Sequence, residues 1–288
     1  MNCVNRELWV LCWVLTCGVP LVWAGEGPYF VTYTHQMEEQ GNLEIENRSV
    51  LGKPDGGHRF LGSALEFEYG VLGWWTSEVY LDGQATSSDS TLFTGFRWEN
   101  RFRLTKQEHR INPVLYLEFE NINGADRTLL EVVGHDGQSD LLDGNSSARR
   151  EKKREVEGKL LLGSNWKGWN ISENLIVEKN VRHAPWEFGY AAGVYRPLGL
   201  AARPDHCTFC PENFRLGVEA YGGLGDTFAL NLRDTSHYVA PTAEFTLPDG
   251  AALKISPSFG VTATSIPFLL RFGVSYEISQ FARRFRNR

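Results

Sequence analysis

The chain has 288 residues and a formal net charge of −6, with an isoelectric point near 5.7, which argues against a nucleic-acid partner. Trp, Tyr and Phe make up 12% of the residues and glycine is frequent, as in exported all-β chains whose aromatics ring the membrane interfaces. The mean hydropathy of −0.30 is no objection to a membrane barrel, because a barrel puts only alternate residues in lipid.

At the front, Trp9 to Trp23 is a mostly apolar run behind Arg6, and Val22-Trp23-Ala24 suits signal peptidase cleavage before Gly25. Residues 1–24 therefore read as an export signal. A lipoprotein anchored at Cys17 is the alternative, which Thr16 fits poorly. Gly25 to Gln40 reads as a periplasmic lead-in with no clear apolar face. From residue 41 to residue 278 the chain reads as one domain, followed by a basic tail over 279–288.

Within that domain the apolar residues recur at period two, the strand period. The first strand covers Gly41 to Leu51. Leu65 to Asp82 forms a hairpin about Gly70–Gly73, with Glu66, Glu68, Glu78 and Asp82 opposite its apolar face. Leu92 to Arg103 sets Leu92, Phe96, Trp98 and Phe102 against Arg97, Glu99, Arg101 and Arg103. Pro113 to Glu120 sets Leu115, Leu117 and Phe119 against Tyr116, Glu118 and Glu120. Glu155 to Ser164 and Trp169 to Lys179 pair about Asn165–Gly168. Trp186 to Arg196, Phe214 to Gly222, Ser236 to Leu247 and Ala252 to Thr262 follow, with a tight turn at Pro248-Asp249-Gly250. The last strand, Pro267 to Ile278, puts Phe268, Leu270, Phe272, Val274, Tyr276 and Ile278 on one face and Arg271 and Glu277 on the other.

These strands predict an all-β fold: a single antiparallel transmembrane β-barrel of about 12 strands. With both termini in the periplasm, connections after odd strands face outward and are the longer ones. The longest, Asn121 to Arg154, follows the fifth strand.

Two resemblances support this. Arg271 to Ile278 resembles the C-terminal assembly signal of bacterial outer-membrane barrels (polar, any, glycine, two of any, apolar, any, apolar), departing in its final Ile and the added tail. It implies the barrel assembly machinery as a partner. The acidic-glycine lead-in Glu38, Glu39, Gly41, then Leu43-Glu44-Ile45 and the Glu66-Phe-Glu-Tyr-Gly70 hairpin returning through Glu78-Val-Tyr80, resembles the front of a group of poorly characterised outer-membrane proteins. These are often labelled transporters or linked to phenol meta-cleavage pathways. The resemblance implies location and architecture and carries no catalytic motif.

The inward-facing set predicts the function. Glu66, Glu68, Glu78, Glu99, Glu118, Glu120, Glu219 and Glu277 point into the lumen with Arg97, Arg101, Arg215 and Arg271. The excess of acids suits a passive pore for small cationic or neutral solutes. Alternatively the same charges pair, and the barrel is a closed structural or interaction module that binds through its long outer loop. An outer-membrane enzyme is the third reading. The residues two positions after the seven histidines include no serine, and no Asp stands two before a His. No catalytic or cofactor-binding residue is assigned.

Asp205-His206-Cys207-Thr208-Phe209-Cys210 contains the two cysteines left after the signal is removed. In an oxidising compartment they read as a disulfide clip. His206, Cys207 and Cys210 as soft metal ligands are the alternative. The bases of Ala148 to Arg154 are either solvated or, if outside, able to pair with lipopolysaccharide phosphates.

Overall fold

A computed structural model describes residues 27–128, 132–182, 185–200, 209–247 and 250–286. The alternating segments become β1 (Leu43–Gly52), β2 (Phe60–Leu72), β3 (Trp75–Thr86), β4 (Thr91–Arg103), β5 (Asn112–Asn123), β6 (Lys152–Trp166), β7 (Trp169–Asn180), β8 (Glu187–Pro197), β9 (Phe214–Asp226), β10 (His237–Thr246), β11 (Ala251–Gly260) and β12 (Phe268–Ile278). Each strand pairs antiparallel with its sequence neighbours, and β12 returns to β1, from Leu43↔Ile278 to Gly52↔Leu269. The result is a closed twelve-stranded barrel with no free edge.

Burial follows the pleat. Along β5, Leu115, Leu117 and Phe119 are exposed on the outside, while Val114, Tyr116, Glu118 and Glu120 are buried inside. This is inverted relative to a soluble barrel: the apolar face is outward and the charges are in the core. The large exposed aromatics form two girdles. Trp74, Trp166, Trp169 and Phe209 lie at the end that carries the chain termini, and Phe93, Trp186, Phe259 and Phe268 at the other. An apolar band between aromatic rings is the surface that lipid requires.

One face differs from the sequence reading. A register shift in the β3–β4 pairing lets Gly83 face Phe93 and Gln84 face Leu92. Upstream of this bulge the parity of β4 flips, so Phe93, and not Leu92, is the residue exposed outside. A one-residue insertion exchanges the two faces of a strand.

The lead-in departs further from its reading. Residues 27–35 are buried within the barrel, so the segment is an internal plug and not a free extension. The outer loop between β5 and β6 also folds inward, carrying a helical turn at Gln138–Leu141 and another at Asn145–Ala148. Plug and loop meet in one apolar cluster: Phe30 and Val31 from the first, Val132 and Leu141 from the second, and Val50, Phe60, Tyr221, Tyr238 and Leu269 from the wall. The basic tail begins with a short helix, Phe281–Arg286. Residues 1–24, Pro248 and Asp249 lie outside the described residues.

Candidate functional site

The lumen charges assemble by register. Arg97 on β4 stands opposite Tyr80 on β3, from where its guanidinium reaches diagonally to Asp82 at 2.9 and 3.2 Å and across to Glu118 at 3.5 Å. Two pleat repeats along β4, Arg101 contacts Glu68, Glu78 and Glu99. Arg48 lies 3.3 Å from Glu46 and 3.1 Å from Glu66, and Lys254 closes on Glu46 at 3.0 Å. Lys159 meets Glu157 at 3.0 Å, and Arg215 meets Glu244 at 3.1 Å. Arg271 is buried over the Tyr221 ring and donates to its hydroxyl at 3.0 and 3.2 Å. Glu277 sits at the terminal end, accepting from Asn42 Nδ2 at 2.6 Å. Buried charges persist only when met in this way.

Glu118 and Glu120 project from one face of β5 at i and i+2, where either cations or Arg97 and Arg101 on the neighbouring strand could compensate them. The structure separates them. Glu118 takes Arg97 and the Tyr116 hydroxyl, Arg101 is occupied elsewhere, and Glu120 turns toward the loop end.

The plug is seated by side chains of the wall. The backbone N–H groups of Phe30, Val31 and Thr32 all donate to the Glu219 carboxylate, at 3.1, 3.1 and 2.9 Å. Asn174 clasps the next residue from both sides, accepting from Tyr33 N–H at 2.7 Å and donating to Tyr33 O at 2.9 Å. The Tyr33 hydroxyl donates to Glu99 at 3.1 Å, its ring meets Tyr116 edge-on with centroids 5.0 Å apart, and Lys159 lies over it at 4.5 Å. Two wall glycines provide the room. A Cβ on Gly193 would stand 2.5 Å from the Tyr29 ring, and one on Gly163 would stand 2.1 Å from His35.

The loop roofs the other end. Gly134 N–H donates to Phe188 O at 3.0 Å, and Gly225 N–H to Gly134 O at 3.2 Å. Gln138 bonds Thr264 and Ala263 and accepts from Asp55 N–H at 2.9 Å. Asn145 is held by Asp89 and Gln84. Under this roof lies a vestibule of about 320 Å³, walled by β4 to β8 and the loop, and carrying Glu120, Asp126, Asp136, Glu155, Glu178 and Glu187. Burial, abetted by Asp140 and Glu155 and opposed by Lys153, pushes the Asp136 carboxyl up to about 6. Burial likewise lowers the Arg127 guanidinium in the loop, against the pull of Asp126 and Asp143.

Several of these residues escaped the sequence reading. Tyr33, Asn174 and Lys159 were not singled out, nor was any role for residues 27–38. The available signal was an uncharged run, Tyr29 to Tyr33, rich in aromatics. Cys210 is buried and disulfide-bonded, while His206 and Cys207 lie outside the described residues.

No family model matches the chain, so none supports the phenol meta-cleavage resemblance, and no curated protein matches it in sequence. Solved structures do resemble it. The COG4313 outer membrane channel from Pseudomonas putida F1 aligns with a TM-score of 0.52 at 10% identity, covering 83% of this chain and 96% of that one. The KdgM porin aligns at 0.49 and 8% identity, over 81% and 98% of the two chains. The NanC porin aligns at 0.44 and 9% identity, over 82% and 100%. At these identities the shared feature is the fold, a porin-like transmembrane barrel.

Proposed function

We propose that the protein is a channel of the bacterial outer membrane, passing small cationic or neutral solutes and shut by its own N-terminal segment. One observation carries the reading. The plug is attached to the wall through side chains, its backbone by Glu219 and Asn174 and its Tyr33 hydroxyl by Glu99, and among the described residues it pairs with no strand. A segment held by side chains can leave without breaking the barrel, whose twelve strand pairings are complete without it. Above it, the acidic vestibule opposes anions and raises the local concentration of cations.

Proteoliposomes loaded with small solutes test this. Flux through the full mature chain should be slow and should rise when Glu219 is replaced by alanine. A folded Glu219→Ala barrel that passes nothing would leave the second reading, a closed barrel that only binds. The buried ion pairs and the filling of the lumen from both ends favour that second reading.

The exposed bases Arg149, Arg150, Lys152 and Arg154 flank the outer loop's return to β6. We assign them to lipopolysaccharide phosphates, which bidentate and point-charge contacts of this kind recognise. The C-terminal strand is the segment offered to the barrel assembly machinery.

A further inference from the structure

Among the described residues the vestibule wall holds eight carboxylates against two bases. The bases do not neutralise it. Arg97 is committed to Asp82 and Glu118, and Lys153 is shared among Asp136, Glu155, Glu178 and Glu151. Glu120 is the decisive member. It lines the cavity, only 7% of it is exposed, and among the described residues no donor bonds its carboxylate. Glu118, Glu178 and Glu157 repel its charge, and the base that attracts it, Arg97 opposite on β4, gives its hydrogen bonds to Asp82 and Glu118. A carboxylate so placed is costly unless a counter-charge arrives.

The form of that counter-charge follows from spacing. A bare divalent ion needs oxygens converging on one point. Among the described residues, the acidic groups whose ligand atoms lie within 4.8 Å of one another are Glu38–Glu44–Glu68 and Glu66–Glu68–Glu78, and both are outside the vestibule. The vestibule acids are instead spread around a cavity of about 320 Å³, a volume at the small end of organic-ligand sites. Ile122, Val133 and Leu141 supply apolar wall between them.

We propose that the vestibule binds an organic cation with two or more amines on an aliphatic chain, of the linear polyamine class. One ammonium is met by Glu120 and Glu178, another by Asp136 and Glu187, and the methylenes lie against Ile122, Val133 and Leu141. This names the solute class of the channel proposed above and rests on that reading for its transport role.

Calorimetric titration of spermidine into the refolded full mature barrel in detergent tests the site, with heat-modifiable gel migration showing that each variant is folded. Saturable binding is expected. Glu120→Gln should weaken it by roughly tenfold or more, the effect of truncating a buried charge partner. Lys153→Gln should tighten it, a gain that misfolding does not mimic. Magnesium at equal concentration should displace little. The proposal is overturned by non-saturable binding, by an unchanged affinity in Glu120→Gln, by no tightening in Lys153→Gln, or by equal displacement with magnesium. Spermidine binding by a barrel that passes no solute supports the site and removes the channel. Solute flux without spermidine binding overturns the site and leaves the channel.

Discussion

Replacing Glu219 by alanine removes the one side chain that holds three consecutive plug amides. The carboxylate accepts from Phe30, Val31 and Thr32 at 3.1, 3.1 and 2.9 Å, in a buried site. A buried donor left without a partner costs about 1–3 kcal/mol, so three give roughly 3–9 kcal/mol. Glu219 also loses its own hydration when the plug closes over it, a penalty of several kcal/mol that vanishes with the side chain. The two effects oppose each other, and the lower end, about 3 kcal/mol, is the appropriate figure. That shifts the seated-to-withdrawn ratio by roughly 150-fold. Chymotrypsin reads the change directly, because Tyr29, Phe30 and Tyr33 are buried within the barrel. The wild-type barrel should resist cleavage there, and Glu219→Ala should be cut at these residues while its strands stay intact. Gly193→Leu, which drives a side chain into the space of Tyr29, should give the same cleavage by a steric route. Full protection in both variants would refute the claim that these contacts seat the plug.

Other outcomes follow from the same geometry. Phe272→Asp puts a charge on the lipid face and removes a half-exposed aromatic, at a cost of a few kcal/mol, so it should block heat-modifiable assembly, while Glu277→Gln on the inner face should assemble. Normal assembly of the first and failure of the second would reverse the facing of β12. Asp136 has its carboxyl raised from 3.8 to about 6, so the folded loop binds more protons than the unfolded chain between those values. Its contribution to loop closure is full below pH 4 and is lost as pH rises through 6. Proteolysis within residues 133–143 should therefore be faster at pH 7 than at pH 5, and Asp136→Asn should flatten the profile; an opposite slope would contradict the placement of Asp136 among Lys153, Asp140 and Glu155. We propose that Cys207 pairs with Cys210: alkylation of the denatured mature chain should find no thiol without reductant and two with it. Two free thiols with bound copper or zinc would replace the disulfide with the metal alternative.

The barrel was legible because the pleat writes itself into the sequence. β5 and β12 alternate without a break, and the length of the loop after the fifth strand set the parity of the ends. The β4 bulge was not legible, since one extra residue leaves local alternation intact on either side and only the pairing with Gly83 reveals the slip. The ion-pair partners were half legible. Inward positions follow from period two, but Arg97 choosing Asp82 over Glu120 depends on a diagonal across the strand pair that no single strand encodes. The plug was the largest omission. Tyr29 to Tyr33 has neither helical nor strand period, and its burial is dictated by distant positions, Glu219, Asn174 and the gap at Gly193.

The central claim is that an acid-lined passage opens when the N-terminal segment withdraws. The measurement that tests it most directly is planar-bilayer recording of the refolded Glu219→Ala barrel beside the wild type, with a salt gradient to set the reversal potential. The wild type should be closed most of the time, and the variant should show long openings whose reversal potential favours cations, with the preference reduced by Glu120→Gln. A folded variant, cleaved at the plug yet electrically silent, or one whose openings favour anions, would contradict the account.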